Sequence, residues 1–139
     1  MSLSRRAALG GLVASTAVLA GCGQVTQAGP TEPVSDIATG EVMLGMVSEV
    51  PVGSGTKFAV NENLTVLVTQ PTASIFKAFS ATCTHAGCIV NGVEDGEIAC
   101  GCHGARFDVE SGMAIAGPAK TALGKIPVEI RGEEIWVIL

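Results

Sequence analysis

Short runs of β-branched and aromatic residues alternate with turn-forming residues along positions 41–139. Runs of this kind, bounded by Gly, Pro and Asn, are typical of β-strands joined by tight turns. No window in this part of the sequence shows a helical repeat of apolar residues. The pattern therefore predicts an antiparallel all-β domain, with strands at residues 42–50, 57–60, 64–69, 75–80, 97–100, 122–130 and 133–139.

Two pairs of these strands are predicted to form hairpins. The strands at 57–60 and 64–69 are separated by Asn61-Glu62-Asn63, and the last two strands by Arg131-Gly132. Asn and Gly favour tight turns because both tolerate left-handed backbone conformations. The runs at 64–68 and 135–138 are mostly apolar, which predicts that these strands are buried.

The first forty residues follow a different pattern. Arg5 and Arg6 precede an apolar run at 7–20, which is followed by small residues. This run has about 14 residues, whereas a membrane-spanning helix needs about 20. Residues 1–21 are therefore predicted to be a signal peptide. Residues 22–40 are polar and interrupted by Pro and Gly, which predicts a flexible linker, and the folded domain is expected at 41–139.

The signal resembles two known bacterial sequences. Residues 4–9, Ser-Arg-Arg-Ala-Ala-Leu, resemble the twin-arginine export signal. Residues 19–22, Leu-Ala-Gly-Cys, resemble the lipobox, which implies cleavage before Cys22 and lipidation of its thiol. An ordinary secretory signal with an incidental Cys22 is the alternative. The resemblance predicts export, with the protein lipid-anchored to the outer face of the cytoplasmic membrane or periplasmic.

Composition limits the classes of partner. The formal net charge is −5, and without Arg5 and Arg6 the remainder has six basic and thirteen acidic residues, or −7. Because no basic patch is present, nucleic acid is not expected as a partner. The 18 Gly residues fit a β domain rich in loops.

Two Cys- and His-containing motifs carry the candidate chemistry. They are Cys-Thr-His-Ala-Gly-Cys at 83–88 and Cys-Gly-Cys-His-Gly at 100–104, and they contain both His residues and every Cys except Cys22. Thiolates and neutral imidazoles are ligands for iron. A Rieske [2Fe–2S] centre takes two Cys and two His, and each motif can supply one of each kind. A Cys2His2 zinc site and a scaffold with two disulfides remain alternatives at this point, although the second leaves both His residues without a role.

The motifs resemble those of the Rieske family, in particular the disulfide-containing branch of cytochrome bc and b6f complexes. That branch has C-T-H-x-G-C followed by C-P-C-H-G-S. The resemblance implies a Rieske-type antiparallel β-sandwich with a cluster-binding subdomain of two loops. It also implies one [2Fe–2S] cluster per chain and these residue roles: Cys83 and Cys100 on the buried iron, His85 and His103 on the exposed iron, a Cys88–Cys102 disulfide, and a cluster-covering loop at Gly117, Pro118 and Ala119.

Three positions depart from the family pattern. High-potential members commonly have Ser and Tyr where this chain has Ala105 and Phe107, and Pro where it has Gly101. Hydroxyl groups that donate hydrogen bonds to the cluster stabilise its reduced form, and Ala105 and Phe107 have none. We therefore expect a potential in the lower part of the Rieske range of about −150 to +300 mV.

The expected function is electron transfer, with no substrate chemistry in the chain itself. The predicted role is a membrane-tethered redox carrier or iron–sulfur subunit that serves an oxidoreductase partner. The alternatives are the Rieske subunit of a quinol–cytochrome c oxidoreductase, the small subunit of an arsenite-oxidase-type molybdenum enzyme, and a structural zinc module. Only fourteen residues separate His85 from Cys100, so the long insertion of large respiratory Rieske proteins is not expected between the motifs.

Overall fold

The computed structural model describes residues 40–139. The predicted signal peptide at 1–21, Cys22 and the linker as far as residue 39 lie outside the described residues. Within residues 40–139, no helix is both long and apolar enough to cross a membrane. The strands in this part of the chain are β1 (Glu41–Met46), β2 (Gly55–Asn61), β3 (Leu64–Thr72), β4 (Ile75–Ser80), β5 (Gly92–Glu94), β6 (Glu97–Cys100), β7 (Ala105–Asp108), β8 (Ala114–Ala116), β9 (Lys125–Ile126), β10 (Val128–Arg131) and β11 (Glu134–Ile138).

These strands form three sheets, and every strand pair is antiparallel. The first sheet has the order β1-β11-β10, the second β2-β3-β4-β9 and the third β5-β6-β7-β8. The strand pairings confirm the predicted antiparallel all-β class. The third sheet is a separate unit of short strands, and it carries the second Cys/His motif at the turn between β6 and β7.

Strand β3 of the second sheet is buried on both faces. Successive side chains of a strand point to opposite faces, so neighbouring residues of β3 enter different cores. Val66 and Val68 pack with Ile135 of the first sheet, whereas Leu67 packs with Ile98 of the third sheet. A strand buried on both sides needs a continuous apolar run, which explains the pattern at 64–68.

The core between the second and third sheets includes the candidate ligands Cys83 and Cys100. We call it the ligand-side core, and its buried members are Leu67, Phe79, Ala81, Cys83, Val90, Ile98, Cys100, Ala105, Phe107, Ala119 and Leu123. The two thiols are thus part of the same apolar packing that holds the two sheets together. Burial of this apolar surface is the main favourable contribution to holding the third sheet in place.

Five of the seven predicted strands differ from the observed bounds, and two of these extend across residues that are not in a strand. The strand predicted at 42–50 ends at Met46, because residues 47–49 form a turn of 3₁₀ helix. The Glu49 carboxylate accepts a hydrogen bond from the Met46 N–H at 2.6 Å and thereby stabilises that turn. The strand predicted at 122–130 begins only at Lys125 and is interrupted at Pro127, which has no N–H to donate to a sheet.

Three strands of the third sheet were not predicted. Strands β5, β7 and β8 have three or four residues each, which is too short for an alternating pattern to be recognised. Strand β5 also begins at Gly92, which has a φ of 143°. The long loops expected around the motifs are therefore partly a small sheet.

The turn between β7 and β8 contains a carboxylate, Asp108, that should make the free energy of unfolding depend on pH. The Asp108 carboxylate accepts hydrogen bonds from the Ser111 hydroxyl at 2.6 Å and the Ser111 N–H at 2.7 Å, and the Ser111 hydroxyl is the main cause that lowers the pKa of Asp108. Because folding favours the carboxylate, Asp108 stabilises the protein above its ordinary pKa, and this contribution is lost as the pH falls through the lowered folded pKa. We expect Asp108→Asn to lower the unfolding free energy at neutral pH by about 1 kcal/mol.

Denaturant unfolding of wild type and Asp108→Asn across pH 2–7 measures this effect. The difference between the two proteins should be constant above about pH 4.5 and shrink at lower pH. A difference that grows toward low pH would contradict the assignment.

Candidate metal centre

The first ligand loop, residues 83–88, is a tight turn that follows β4. The Cys83 N–H donates to the Cys88 carbonyl at 2.7 Å, and the Gly87 N–H donates to the Cys83 carbonyl at 2.9 Å. Gly87 has a φ of 78°, a conformation that residues with a side chain rarely adopt. The turn leaves Cys83 3% exposed in the ligand-side core and places His85 at the protein surface.

The second ligand loop, residues 100–104, is the turn between β6 and β7. Cys100 and Ala105 are paired across this hairpin, and the Gly104 N–H donates to the Cys100 carbonyl at 3.1 Å. Cys100 is 2% exposed, whereas His103 lies at the surface. Each loop therefore presents one buried thiol at its base and one exposed imidazole at its tip.

The structure brings the two imidazoles together. His85 Nδ1 and His103 Nδ1 are 3.2 Å apart, and the two rings are nearly perpendicular, with an angle of 78° between their planes. Two nitrogens that bind one metal ion at about 2.1 Å each, with a tetrahedral angle, lie about 3.4 Å apart. The observed separation is close to that value, so both Nδ1 atoms are placed to bind the same ion.

The two thiols are also neighbours. Burial raises the pKa of the Cys83 thiol, while the backbone N–H of His85 opposes this shift and the hydrogen-bonded side chain of Cys100 adds to it. An apolar site disfavours a free thiolate, and metal binding compensates for that cost by replacing the proton with a cation. The backbone N–H of His85 would then donate to a ligated sulfur.

Cys88 and Cys102 form a disulfide, with their Cα atoms 6.6 Å apart. The pairing implied by the family resemblance is confirmed. The bridge joins the end of the first ligand loop to the middle of the second, so the two loops are held together covalently as well as by packing. Cys83 and Cys100 are the free cysteines among the described residues.

A third loop, residues 117–119, packs against the second ligand loop. A Cβ atom added to Gly117 would lie 2.5 Å from the Gly104 carbonyl oxygen and 2.7 Å from Ala105 Cα. Ala119 is buried in the ligand-side core, and Pro118 is exposed. The segment at 117–119, for which a cluster-covering role is predicted, thus lies against the second ligand loop.

Sequence reasoning missed the hydrogen bond that ties this segment to the first ligand loop. Thr84 Oγ1 donates to the Thr121 carbonyl at 2.7 Å. The position of Thr84 between Cys83 and His85 could have marked it as a residue that supports the site. Nothing in the sequence indicated that its hydrogen-bond acceptor is Thr121. Both ligand loops are thus fixed to the segment at 117–121.

Gly117→Ala is expected to destabilise the protein by about 2–3 kcal/mol. Gly117 has a φ of 80°, and the added methyl would collide with backbone atoms rather than with a flexible side chain. Gly96→Ala is the matched control, because Gly96 has the same φ of 80° and no atom within 4 Å of the added Cβ. Thermal unfolding should show a clearly larger loss for Gly117→Ala, and equal losses would exclude the close approach as the cause.

Ala105 and Phe107 are fully buried in the ligand-side core. Ala105 faces Cys100 across the hairpin, and Phe107 is paired with Ile98. Both positions thus belong to the core that contains the two thiols, and Ala105 is the one paired directly with a thiol-bearing residue. Neither side chain carries a hydrogen-bond donor.

The residues present fit a binuclear iron–sulfur centre. Two buried thiols and two imidazoles form two separate pairs, and a centre with two irons takes one pair on each iron. Within residues 40–139, no group of three or more Cys, His, Asp or Glu side chains converges on a single metal position.

Comparisons with known proteins show the family to which this domain belongs. The family model of the Rieske [2Fe-2S] domain matches residues 40–127. The chain is 38% identical over 98 residues to the "Cytochrome b6-f complex iron-sulfur subunit" of Chlorobaculum thiosulfatiphilum, covering 70% of this chain and 52% of that protein. It therefore spans about half the length of this curated relative.

Two solved structures share the fold at a TM-score of 0.61 and 29% identity. One is the plasma membrane Rieske protein PetC3 of Synechocystis PCC 6803, with 70% of this chain and 99% of that chain covered. The other is the ferredoxin of carbazole 1,9a-dioxygenase from Nocardioides aromaticivorans IC177, with 70% and 96% covered. The matched domain, the paired donors and the shared fold agree with one another, and the chain belongs to the Rieske [2Fe-2S] domain family.

Proposed function

We propose that this protein is a one-electron carrier whose [2Fe–2S] cluster is bound by Cys83, Cys100, His85 and His103. The observation that carries this proposal is the arrangement of the donors in pairs, thiols inside and imidazoles outside, on two loops joined by a disulfide. In this assignment Cys83 and Cys100 hold the buried iron, and His85 and His103 hold the exposed iron.

The bound cluster supplies a one-electron couple between the Fe(III)–Fe(III) and Fe(III)–Fe(II) states. The chain contributes the environment of that couple. The ligand-side core excludes water from the two thiols, and the backbone N–H groups near Cys83 supply hydrogen bonds to its sulfur. The exposed edges of His85 and His103 give a redox partner the shortest approach to the centre.

Electron paramagnetic resonance of the dithionite-reduced protein, together with metal analysis, tests the proposal. We expect two irons per chain and the low average g value of a cluster with mixed Cys and His ligation. One zinc per chain and no signal on reduction would instead support the zinc module.

The proposed role is that of a carrier or redox subunit serving an oxidoreductase. The relatives include the iron–sulfur subunit of a cytochrome b6-f complex and the ferredoxin of a dioxygenase, so the same domain is found with different partners. A subunit of a quinol–cytochrome oxidoreductase is the second candidate, favoured by the 38% identity to the b6-f subunit. Purification of the full-length protein from membranes separates the two: a co-purifying cytochrome b supports the subunit, and recovery as a free protein supports the carrier.

We further propose that the protein is exported by the twin-arginine route and anchored through Cys22. The support is the Arg5-Arg6 pair, the apolar run that follows it, and Cys22 at the end of that run. Mass spectrometry of the mature protein should find a lipidated Cys22 as the first residue. An unmodified Cys22, or cleavage at another position, would contradict the anchor.

Ala105→Ser is expected to raise the reduction potential by tens of millivolts. Ala105 lies opposite Cys100, so a hydroxyl there can donate to a cluster or ligand sulfur and stabilise the reduced state. A tenfold change in the equilibrium of a one-electron couple corresponds to about 59 mV. Protein-film voltammetry measures the change, and Ala99→Ser on the same hairpin is the control. An unchanged or lower potential in Ala105→Ser would contradict the tuning role.

A further inference from the structure

The side chain of Asn91, which lies outside the second ligand loop, forms a hydrogen bond with the backbone of that loop. Asn91 lies between the first ligand loop and β5, and its Oδ1 accepts a hydrogen bond from the Gly101 N–H at 3.2 Å. Its Nδ2 donates to Glu94 Oε1 at 3.1 Å, which fixes the orientation of the amide. Its own backbone N–H donates to the Ala99 carbonyl at 2.7 Å.

The absence of a side chain at Gly101 is what permits this contact. A Cβ atom at position 101 would lie 2.8 Å from Asn91 Nδ2 and 2.9 Å from Asn91 Oδ1, and the three nearest atoms to it all belong to the Asn91 amide. The amide therefore occupies the space that a side chain at 101 would need. Asn91 and Gly101 form a matched pair.

The contact fixes one particular peptide group. The Gly101 N–H and the Cys100 carbonyl belong to the same planar peptide unit. Asn91 binds the N–H side of that plane, and the Gly104 N–H binds the carbonyl side at 3.1 Å. With both sides bound, rotation of the plane is restricted, which favours one direction for the chain as it leaves Cys100 toward His103.

We propose that Asn91 is a positioning residue for the cluster: it holds the peptide between Cys100 and Gly101 and thereby directs the Cys100 thiol and the His103 imidazole. This role rests on the proposed function, because it takes Cys100 and His103 as ligands. Asn91 is exposed and its hydrogen-bond partners are all on the third sheet or its turns, so it adds nothing to the packing of the cores.

Asn91→Ala tests the proposal in the full-length holoprotein. Hydrogen exchange of the peptide that covers residues 100–104 should become about fivefold faster for one amide, the change expected when one ordinary hydrogen bond is lost. The loss of cluster absorbance at elevated temperature should accelerate by a similar factor. The g values of the reduced protein should shift, because the ligands are less uniformly directed.

Asn61→Ala is the matched control. Asn61 is also exposed, and its Oδ1 accepts hydrogen bonds from the N–H groups of Asn63 and Leu64, each at 2.9 Å, in the turn between β2 and β3. This variant should lose stability without any change in g values or in exchange at 100–104. A purely structural role of Asn91 would leave the g values unchanged in Asn91→Ala as well, and that result would contradict the positioning role.

Two further variants sharpen the test. The double variant Asn91→Asp/Glu94→Gln keeps an acceptor for the Gly101 N–H at position 91. The hydrogen bond between positions 91 and 94 is also kept, with the side chain at 94 now donating to the one at 91. This variant should therefore recover wild-type g values and cluster lifetime. Gly101→Ala should resemble Asn91→Ala, and the two changes combined should be no worse than either alone, since both break the same contact.

Wild-type exchange at 100–104 in Asn91→Ala, or g values that shift equally in Asn61→Ala, would overturn the proposal. The proposed function itself would be contradicted by a different result, namely a cluster that is retained after Cys100 or His103 is replaced. Because the exchange measurement reports on the loop itself, the two failures are distinguishable.

Discussion

Cys100→Ala is expected to yield a folded chain that holds no iron–sulfur cluster. Cys100 supplies one of the two buried thiols, and no other free Cys among residues 40–139 can replace it on the same iron. Changes in residues that only support a metal ligand already cost about 10–100-fold in affinity, so loss of a ligand should cost more. Iron content and the reduced-state resonance signal should both fall by more than about tenfold.

Cys102→Ala is the matched control, because it removes the same atom two residues away. Cys102 is bonded to Cys88, so its loss breaks the bridge and leaves the four proposed ligands in place. This variant should retain a measurable cluster signal. Equal losses of iron in the two variants would contradict the division of the Cys residues into ligands and bridge.

Removing the disulfide with Cys88→Ala/Cys102→Ala is expected to lower the unfolding free energy by about 3 kcal/mol. The bridge closes a segment with a sequence separation of 14, and a loop of about 15 residues gives roughly this value through the entropy of the unfolded chain. The ligand loops would then be held by the hydrogen bonds and packing described above. We expect the cluster to be lost faster on heating as well.

Thermal and denaturant unfolding of the holoprotein measure the effect of the bridge. Each single variant, Cys88→Ala and Cys102→Ala, should lose nearly as much stability as the double variant, because either change breaks the same bond. Additive losses would mean that the two side chains contribute through packing instead of through the bridge.

The sequence predicted the candidate site well, because the spacing of Cys and His within short motifs indicates the type of metal centre. The Cys-x-His and Cys-x-x-His motifs indicated the donor set, and the resemblance they carry implied the Cys88–Cys102 pairing that the structure contains. The strand at Ile75–Ser80 was predicted with its observed bounds, because its apolar run is bounded by clear turn signals. Strands β5, β7 and β8 of the third sheet were missed, because segments of three or four residues have little period to recognise. Strand β6 of the same sheet was predicted with its observed bounds.

The predicted ends of two strands were wrong because a local interaction interrupts the strand within an apolar segment. The 3₁₀ turn at Val47–Glu49 depends on the Glu49 carboxylate, and the interruption at Pro127 separates β9 and β10 into different sheets. Both features follow from single residues inside an otherwise apolar segment. Hydrophobic patterning averages over such residues and therefore extends a strand too far.

The sequence by itself determined the all-β class, the two motifs with the candidate Cys and His donors, and the absence of hydroxyl groups at Ala105 and Phe107. Each of these is a property of residue type and local spacing. Only the tertiary structure decided how closely the imidazoles approach each other and which distant residues hold the ligand loops. The 3.2 Å approach of the two imidazoles, the contact of Thr84 with Thr121, and that of Asn91 with Gly101 join different loops or segments. Such contacts depend on how the second and third sheets pack around the ligand-side core, and no local sequence pattern encodes them.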